Sequence, residues 1–357
     1  MSAQEINDHD RLALGAEPAL AEEDDDSERN VAPRFRLTAA EKRARRNRRL
    51  AFRDSSEDGH GRILNDVGEG AEASYPMTYQ PARFEAVWLR ASLRSFYDQE
   101  LIVDVLAQVK GGKEANVYRC RAHPRTGAEL LAAKVYRPRQ FRNLANDQLY
   151  REGRPVLTAD GRPAKATDQR IMRALGKKTE FGAQIQHTSW LMYEYLTLGQ
   201  IHQAGGAVPR PFGANENGLL MGYQGNARLA APPLREISLG RREAGRQFAE
   251  VMRNVELLLQ HGLVHGDLSA YNILYWEGRI TLIDFPQATS VHANRNAQVI
   301  LQRDVKRVCD YFARQGVRAD PVALAADLWD RYGEGYYRDP MAEAAEQWEA
   351  EDDERDD

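Results

Sequence analysis

Three polar residues in the second half of the sequence have the types and spacing that phosphoryl transfer requires. Asp267 and Asn272 lie in the segment LVHGDLSAYNIL, and Asp284 follows in ITLIDF. Phosphoryl transfer needs a carboxylate near the attacking hydroxyl, oxygen ligands for magnesium, and cations for the developing charge. Asp267 is the candidate catalytic carboxylate, while Asn272 and Asp284 are candidate ligands for Mg²⁺. Each residue alone is more typical of a turn or a strand end, so the hypothesis rests on their combination.

An upstream lysine strengthens this interpretation. Lys134 lies within the apolar segment LLAAKVY, where burying an ammonium group is costly unless it is paired. Its predicted partner is Glu194, on a helix expected to begin near Thr188 or Ser189 and to end near residue 205. The pair would direct the ammonium group at the α- and β-phosphates of a nucleotide. The alternatives are a lysine that snorkels from an edge strand and a glutamate that faces solvent.

A pair of glycines precedes a predicted strand upstream of the lysine. The segment KGGKEANVY contains Gly111 and Gly112 but no G-x-G-x-x-G pattern. Taken alone, it is more typical of a hairpin turn. Ahead of a strand that leads to a buried lysine, it predicts a loop that covers phosphates, where Lys113 could contact a phosphate directly.

The elements that would position these residues follow from the apolar patterns. Strands are predicted over residues 103–109, 115–120, 130–136, 218–223, 273–276 and 279–285. Helices are predicted over residues 81–97, 248–260, 297–315 and 321–332. A hairpin formed by the last two strands would bring Asn272 and Asp284 to one end. Strands followed by helices predict an α+β fold with a small β-rich lobe and a larger, mainly helical lobe.

The composition excludes several classes of protein. The chain has 357 residues, 42% of them hydrophobic, and a formal net charge of −4, which predicts no overall attraction to nucleic acid. Two cysteines exclude a disulfide framework and a four-cysteine zinc site. No apolar run approaches the length of a membrane span, and the start MSAQEINDHD is unlike a signal peptide. We therefore expect a cytoplasmic protein without a membrane partner.

The chain divides by polarity into a central domain and two tails. Residues 1–75 are expected to be disordered, with an acidic cluster followed by a basic run at Lys42–Arg49. Residues 76–335 are expected to form the folded domain, including a long polar insertion at 137–187, and residues 336–357 an acidic disordered tail. The basic run could bind RNA through its phosphates, or it could be a solvated surface segment.

The sequence resembles the RIO family of atypical serine/threonine protein kinases, in the subfamily without a winged helix. Three segments carry the resemblance in the family's order: GKEANVY at 112–118, HGDLSAYNIL at 265–274 and LIDFPQA at 282–288. The resemblance implies a two-lobed protein-kinase-like fold without an activation segment, with lobes at residues 95–223 and 224–335. The sequence departs from the family pattern at Gly111, where a serine or threonine is common, and at Ala270, where a glutamate is usual.

The resemblance also implies roles for individual residues. Asp267 is similar to the catalytic aspartate, with Lys134 and Glu194 as the catalytic ion pair. ATP and Mg²⁺ are the implied cofactors, and the implied metal ligands are Asn272 and Asp284. The implied nucleotide-binding residues are Gly112, Lys113, Glu114, Val117, Lys134, Met221, Gly222 and Tyr223.

Several functions stay open at this point. One is a serine/threonine kinase that also phosphorylates itself; another is an ATPase switch on a ribonucleoprotein assembly. The resemblance points to ribosomal-subunit maturation, with a ribosomal particle or RNA as partner and no identified protein substrate. A non-catalytic ATP-binding scaffold is less favoured because Lys134, Asp267 and Asp284 are all present. A small-molecule kinase shares the H-x-D, N and D pattern, but GKEANVY argues against it.

Overall fold

The computed structural model describes residues 75–137, 152, 154–165, 167–177 and 179–333. The predicted N-terminal tail with its basic run, the predicted acidic tail and residues 138–151 of the predicted insertion lie outside this part of the chain. Within the described residues, no helix has the length and apolar character needed to cross a membrane.

A five-stranded antiparallel sheet forms the centre of the small lobe, in the order β1-β2-β3-β5-β4. Its strands are β1 (Ile102–Gly111), β2 (Ala115–Ala122), β3 (Leu130–Tyr136), β4 (Pro211–Ala214) and β5 (Gly218–Gly222). Every second residue of β2 is buried, as expected of a strand with one face on the core. β3 is buried along nearly its whole length because it pairs on both sides. The strand predicted over residues 130–136 is confirmed at both ends.

Helix α1 (Arg83–Asp98) packs on this sheet. It buries Leu89, Leu93 and Phe96, whose spacing places them on one helical face. The helix predicted over residues 81–97 is therefore confirmed.

The second half of the predicted insertion is helical. Its helices are α2 (Gln169–Gly176) and α3 (Glu180–Gln203). The Thr179 hydroxyl caps α3 by accepting from the Gly182 N–H at 3.1 Å, so the predicted start near residue 188 or 189 is wrong. The first turns of α3 show no clear apolar period, but they pack tightly on α2. A Cβ at Gly182 would lie only 2.1 Å from the Ala174 carbonyl oxygen, and this close packing extends the helix.

The large lobe consists of helices with two short sheets. Its elements are α4 (Arg241–Gln260), β6 (Leu263–Val264), β7 (Ile273–Trp276), β8 (Arg279–Leu282), β9 (Thr289–Ser290), α5 (Ala297–Arg314) and α6 (Pro321–Tyr332). β6 pairs with β9, and β7 pairs with β8. The predicted helices and the predicted hairpin form, but α4 begins seven residues before the predicted residue 248. β8 ends at Leu282 rather than at residue 285, because Asp284 has a φ of +72°, which is incompatible with a strand. β6 and β9 are not predicted because two residues are too few to show a period. β4 (PFGA) is not predicted because it contains a proline and a glycine, which are depleted in strands. The α+β two-lobed fold is confirmed.

Candidate catalytic cleft

Lys134 on β3 lies between two carboxylates. Its Nζ is 2.6 Å from Glu194 Oε1 on α3 and 2.6 Å from Asp284 Oδ1, which follows β8. The side chains of Lys134 and Glu194 are 11% and 4% exposed, whereas that of Asp284 is 41% exposed. The predicted contact between Lys134 and Glu194 is confirmed, and the contact with Asp284 joins the two lobes. The catalytic role of the cluster stays a prediction.

In this cluster, burial and the neighbouring charges shift the pKa of each group in opposite directions. Burial would lower the pKa of the Lys134 ammonium group, but Asp284 and Glu194 outweigh it and hold that pKa well above its ordinary value. Burial would raise the pKa of Asp284, but Lys134 brings it below the ordinary value of a carboxyl group. The pKa of Glu194 is raised, because there burial outweighs the attraction of Lys134. Lys134 therefore carries its charge at neutral pH, as a phosphate-binding group must.

Tyr136 completes the cluster, although no motif marks it. Its hydroxyl donates to Glu194 Oε2, so both oxygens of that carboxylate have a donor. Burial and the charge of Glu194 raise the pKa of Tyr136 well above its ordinary value, so the hydroxyl keeps its proton. Residues 134 and 136 share one face of β3, and this alternation is the sequence signal that could have revealed Tyr136.

Asp267 and Asn272 contact each other in the loop between β6 and β7. Asn272 Nδ2 donates to the Asp267 backbone oxygen at 2.9 Å and to Asp267 Oδ2 at 3.0 Å. The other carboxylate oxygen, Oδ1, accepts from Arg307 Nη1 on α5 at 2.9 Å. Both contacts use the amide nitrogen of Asn272, so its amide oxygen is not engaged by Asp267. Arg307, which no sequence motif marks, holds the carboxylate from α5.

Buried polar contacts fix the backbone that carries Asp267. Gly266 has a φ of +84°, and a Cβ at this position would lie 2.0 Å from the Gln287 carbonyl oxygen, so only glycine fits. The Gly266 N–H donates to Asp304 Oδ2 on α5 at 2.9 Å. Asp304 is 2% exposed, and burial raises its pKa. An aspartate on the apolar face of a helix is the sequence signal that could have revealed Asp304.

His265 links the same loop to the residues around Asp284. Its Nδ1 accepts from the Asp267 N–H at 3.3 Å, so its Nε2 carries the proton and donates to the Ile283 carbonyl oxygen at 3.2 Å. Its ring centroid lies 4.6 Å from that of Phe285. These contacts fix the position of Asp267 relative to the segment that holds Asp284.

Asn272 and Asp284 meet at one end of the β7–β8 hairpin, as predicted. The Ile283 N–H donates to the Asn272 carbonyl oxygen at 3.0 Å. Asp284 has a φ of +72°, an uncommon backbone conformation for a residue with a side chain. A carboxylate and an amide oxygen are hard donors that suit Mg²⁺. No group of three His, Cys, Asp or Glu side chains that could hold a metal ion is found in the described part of the chain.

Residues 112–114 form the turn between β1 and β2, and Gly111 is the last residue of β1. A Cβ at Gly112 would lie 2.6 Å from the Ala115 carbonyl oxygen, so this turn requires glycine. The buried Asn116 accepts from the Gly112 N–H at 3.4 Å. Lys113 is exposed at the tip of the turn and Glu114 is partly buried beside it. The turn places Lys113 in solvent, without a hydrogen bond or ion pair to Lys134, Glu194 or Asp284.

The other predicted nucleotide contacts lie around β3. Val117 on β2 is directly opposite the buried lysine in the β2–β3 ladder. Met221 and Gly222 end β5, on the other side of β3, and Tyr223 follows them. The Gly222 N–H donates to the Arg210 carbonyl oxygen at 2.8 Å, so this donor is not free for a base.

Comparison with known proteins gives a consistent result. A family model described as the RIO domain matches residues 162–324. The chain is 32% identical over 219 residues to the RIO-type serine/threonine-protein kinase Rio1 of Haloferax volcanii, covering 60% of this chain and 66% of that protein. It is 27% identical over 241 residues to the serine/threonine-protein kinase RIO1 of Chaetomium thermophilum, covering 64% of this chain and 43% of that protein. It is 30% identical over 132 residues to the RIO-type serine/threonine-protein kinase Rio1 of Thermoplasma acidophilum, covering 37% of this chain and 68% of that protein. The chain thus spans just under two thirds of the Haloferax protein and less than half of the Chaetomium protein.

Proposed function

The chain belongs to the RIO family of protein kinases, and on this premise we propose that it transfers the γ-phosphoryl group of ATP to serine or threonine hydroxyl groups, including its own. The observation that supports this most is the buried Lys134, in contact with both Glu194 and Asp284 at 2.6 Å. A lysine held between these two carboxylates can bind phosphate oxygens with little movement of its side chain. A non-catalytic scaffold would not need this cluster beside the aspartate loop, so the enzyme is the better proposal.

We place the nucleotide along β3. The adenine would lie at the end of β5, beside Met221, Gly222 and Tyr223. The phosphates would lie at the buried lysine and under the loop that contains Gly112, Lys113 and Glu114, with Val117 packing against the nucleotide. Asp284 and Asn272 would hold magnesium, which supplies positive charge to the phosphate oxygens when bound. Lys134 would then pair with phosphate oxygens while Glu194 continues to hold it.

Asp267 would act on the acceptor hydroxyl group. The hydroxyl oxygen forms a bond to the γ-phosphorus, the bond between that phosphorus and the bridging oxygen breaks, and ADP leaves. The hydroxyl proton passes to the Asp267 carboxylate. Asn272 and Arg307 hold that carboxylate at 3.0 Å and 2.9 Å, so its oxygen atoms are positioned before the substrate arrives.

A second candidate function is an ATPase switch, in which water replaces the hydroxyl group. The segment 285–296 between Asp284 and α5 contains only the two-residue strand β9 and turns. A kinase that captures free peptides needs a platform beside the γ-phosphate, and this segment is short for one. We propose a domain spanning residues 76–335 that acts on docked partners, with a ribosomal particle in the cytoplasm as the proposed setting.

The test is ATP consumption measured beside protein labelling. Purified protein is incubated with γ-labelled ATP and Mg²⁺, with and without ribosomal particles. Label on protein supports the kinase, whereas free phosphate without label supports the switch. Asp267→Asn should lower turnover by about tenfold to a hundredfold or more, because general-base catalysis is lost.

A matched control is available on α6. Asp327 is an exposed aspartate that pairs with Arg331 and has no proposed role in phosphoryl transfer. Asp327→Asn should leave turnover unchanged. Equal turnover of ATP by the wild-type protein and Asp267→Asn would refute the proposed role of Asp267.

A further inference from the structure

A polar pocket of about 570 Å³ opens beside the candidate catalytic aspartate. Its walls come from three places in the large lobe: the 3₁₀ turn Leu234–Glu236, the loop of Asp267, and the last turns of α5. Three arginines reach it from two of these walls: Arg235, Arg307 and Arg314. Asp267 and Asn272 belong both to this pocket and to the proposed catalytic site, whereas Arg235 and Arg314 have no role proposed above.

Positive charge predominates in the pocket. Its two acidic side chains are Asp267 and Asp310. Asp310 is already paired outside the arginine group, with Lys306 at 2.6 Å, and Asp267 accepts from Arg307 at 2.9 Å. Arg235 and Arg314 thus retain positive charge that neither acid neutralises. Such a site attracts an anionic group and disfavours a cationic one.

The arginine geometry suits small anionic groups better than bases. The Arg235 guanidinium lies 4.4 Å from the centroid of the Tyr271 ring and covers one face of it. Tyr271 is 50% exposed, but the ring face under Arg235 is not open to a stacked base. Guanidinium groups bind carboxylate and phosphate oxygens through paired N–H donors. The pocket therefore fits carboxylate or phosphate side groups next to an acceptor hydroxyl.

We propose that this pocket binds an acidic segment of a protein acceptor, with carboxylate or phosphorylated side chains flanking the serine or threonine that receives the phosphoryl group. This rests on the proposed function, since the pocket adjoins Asp267. This pocket would let a cleft with only a short segment after Asp284 select its acceptor, because Arg235 and Arg314 would hold the acidic residues beside the acceptor hydroxyl group.

The test compares two peptides and two double variants. One peptide places Asp and Glu around a single serine, and the other has Asn and Gln at the same positions. Wild-type protein should prefer the acidic peptide in kcat/KM by about tenfold, the size expected when two exposed ion pairs form. Arg235→Gln with Arg314→Gln should remove this preference and leave ATP consumption without peptide unchanged. Arg242→Gln with Arg318→Gln, which removes two exposed arginines outside the pocket, should keep the preference.

Two results would overturn this proposal, and a third would overturn the proposed function instead. Equal use of both peptides by the wild-type protein overturns it. Binding of a single-stranded RNA oligonucleotide that is lost in Arg235→Gln with Arg314→Gln, without a peptide preference, assigns the pocket to RNA and also overturns it. If the protein consumes no ATP, the proposed function fails. Calorimetric affinity for the acidic peptide against the neutral one then decides whether the pocket binds acidic segments.

Discussion

At the scale of single residues, the cleft depends on a lysine that two carboxylates keep charged. Lys134 and Glu194 are almost fully buried, and losing one partner of such a pair leaves an uncompensated charge that costs about 3–5 kcal/mol. A loss of activity after substituting either residue could therefore come from unfolding rather than from a lost catalytic contact. Asp284 differs because its side chain is 41% exposed, so solvent can screen the charge that its removal exposes. It is the better residue for testing nucleotide binding.

Asp284→Ala should weaken Mg-ATP affinity by about tenfold to a hundredfold, because a charged ligand is lost. Asn272→Ala should cause a smaller loss of affinity, since its amide oxygen carries no charge. Calorimetry with ATP and Mg²⁺ measures both. Asp327→Ala, an exposed aspartate on α6 that pairs with Arg331, is the control and should bind normally. Unchanged Mg-ATP affinity and turnover in Asp284→Ala would remove Asp284 from the metal site.

At the scale of elements, the segment 154–165, which is part of the predicted insertion, contacts the cleft. Arg154 Nη1 donates to the Pro286 carbonyl oxygen at 2.8 Å, and Nη2 donates to that of Ala288. The guanidinium lies 4.3 Å from the ring centroid of Tyr193 on α3. Leu157, further along the segment, is 1% exposed. Arg154 thus ties α3, next to Glu194, to the residues that follow Asp284.

Arg154→Gln should lower ATP turnover by about tenfold, because the loss of charge-assisted hydrogen bonds worth about 1.5–3 kcal/mol lets the segment after Asp284 shift. The effect should fall on kcat more than on the KM for ATP, since the direct nucleotide contacts remain. Arg162→Gln is the matched control, because Arg162 lies in the same segment and contacts the exposed Asp160 at 3.6 Å. Thermal melting of both variants separates a positioning effect from unfolding. Turnover of Arg154→Gln equal to that of Arg162→Gln would show that the contact is only structural.

Elements with a clear local sequence signal were predicted, and features without one were not. β3, the β7–β8 hairpin and α5 have apolar periods long enough to define them, and they place Lys134, Asn272 and Asp284 as expected. The start of α3 combines the Thr179 cap with packing against α2. Only the cap is a local signal, and Thr188 and Ser189 are equally plausible caps by sequence. The contacts of Arg307 and Arg154 join residues 40 and 132 positions apart, so no spacing pattern could reveal them. Motif residues were thus predictable, whereas the residues that hold them in place were not.

At the scale of the whole molecule, charge is unevenly distributed along the chain. The net charge is −4, yet the run KRARRNRR at residues 42–49 contains six basic residues, and the last nine residues, EAEDDERDD, are mostly acidic. A negative chain is repelled by a polyanion overall, so any affinity for RNA must come from a local cluster of cations. The basic run is the densest such cluster in the sequence. We propose that it tethers the enzyme to RNA.

The tether can be tested by separating charge from sequence. Replacing the six basic residues of 42–49 by glutamine should weaken binding to single-stranded RNA. It should also reduce the slope of log affinity against log salt by up to about 4, since each phosphate contact on a single strand contributes about 0.7. A variant with residues 42–49 in shuffled order keeps the charge and should bind as the wild-type protein does. Removing residues 1–60 should have the same effect as the glutamine variant. ATP turnover should stay near normal in all of these variants, because no proposed site residue lies in the run. Identical binding curves for the wild-type protein and the glutamine variant at several salt concentrations would reject the tether and leave the run as a solvated segment.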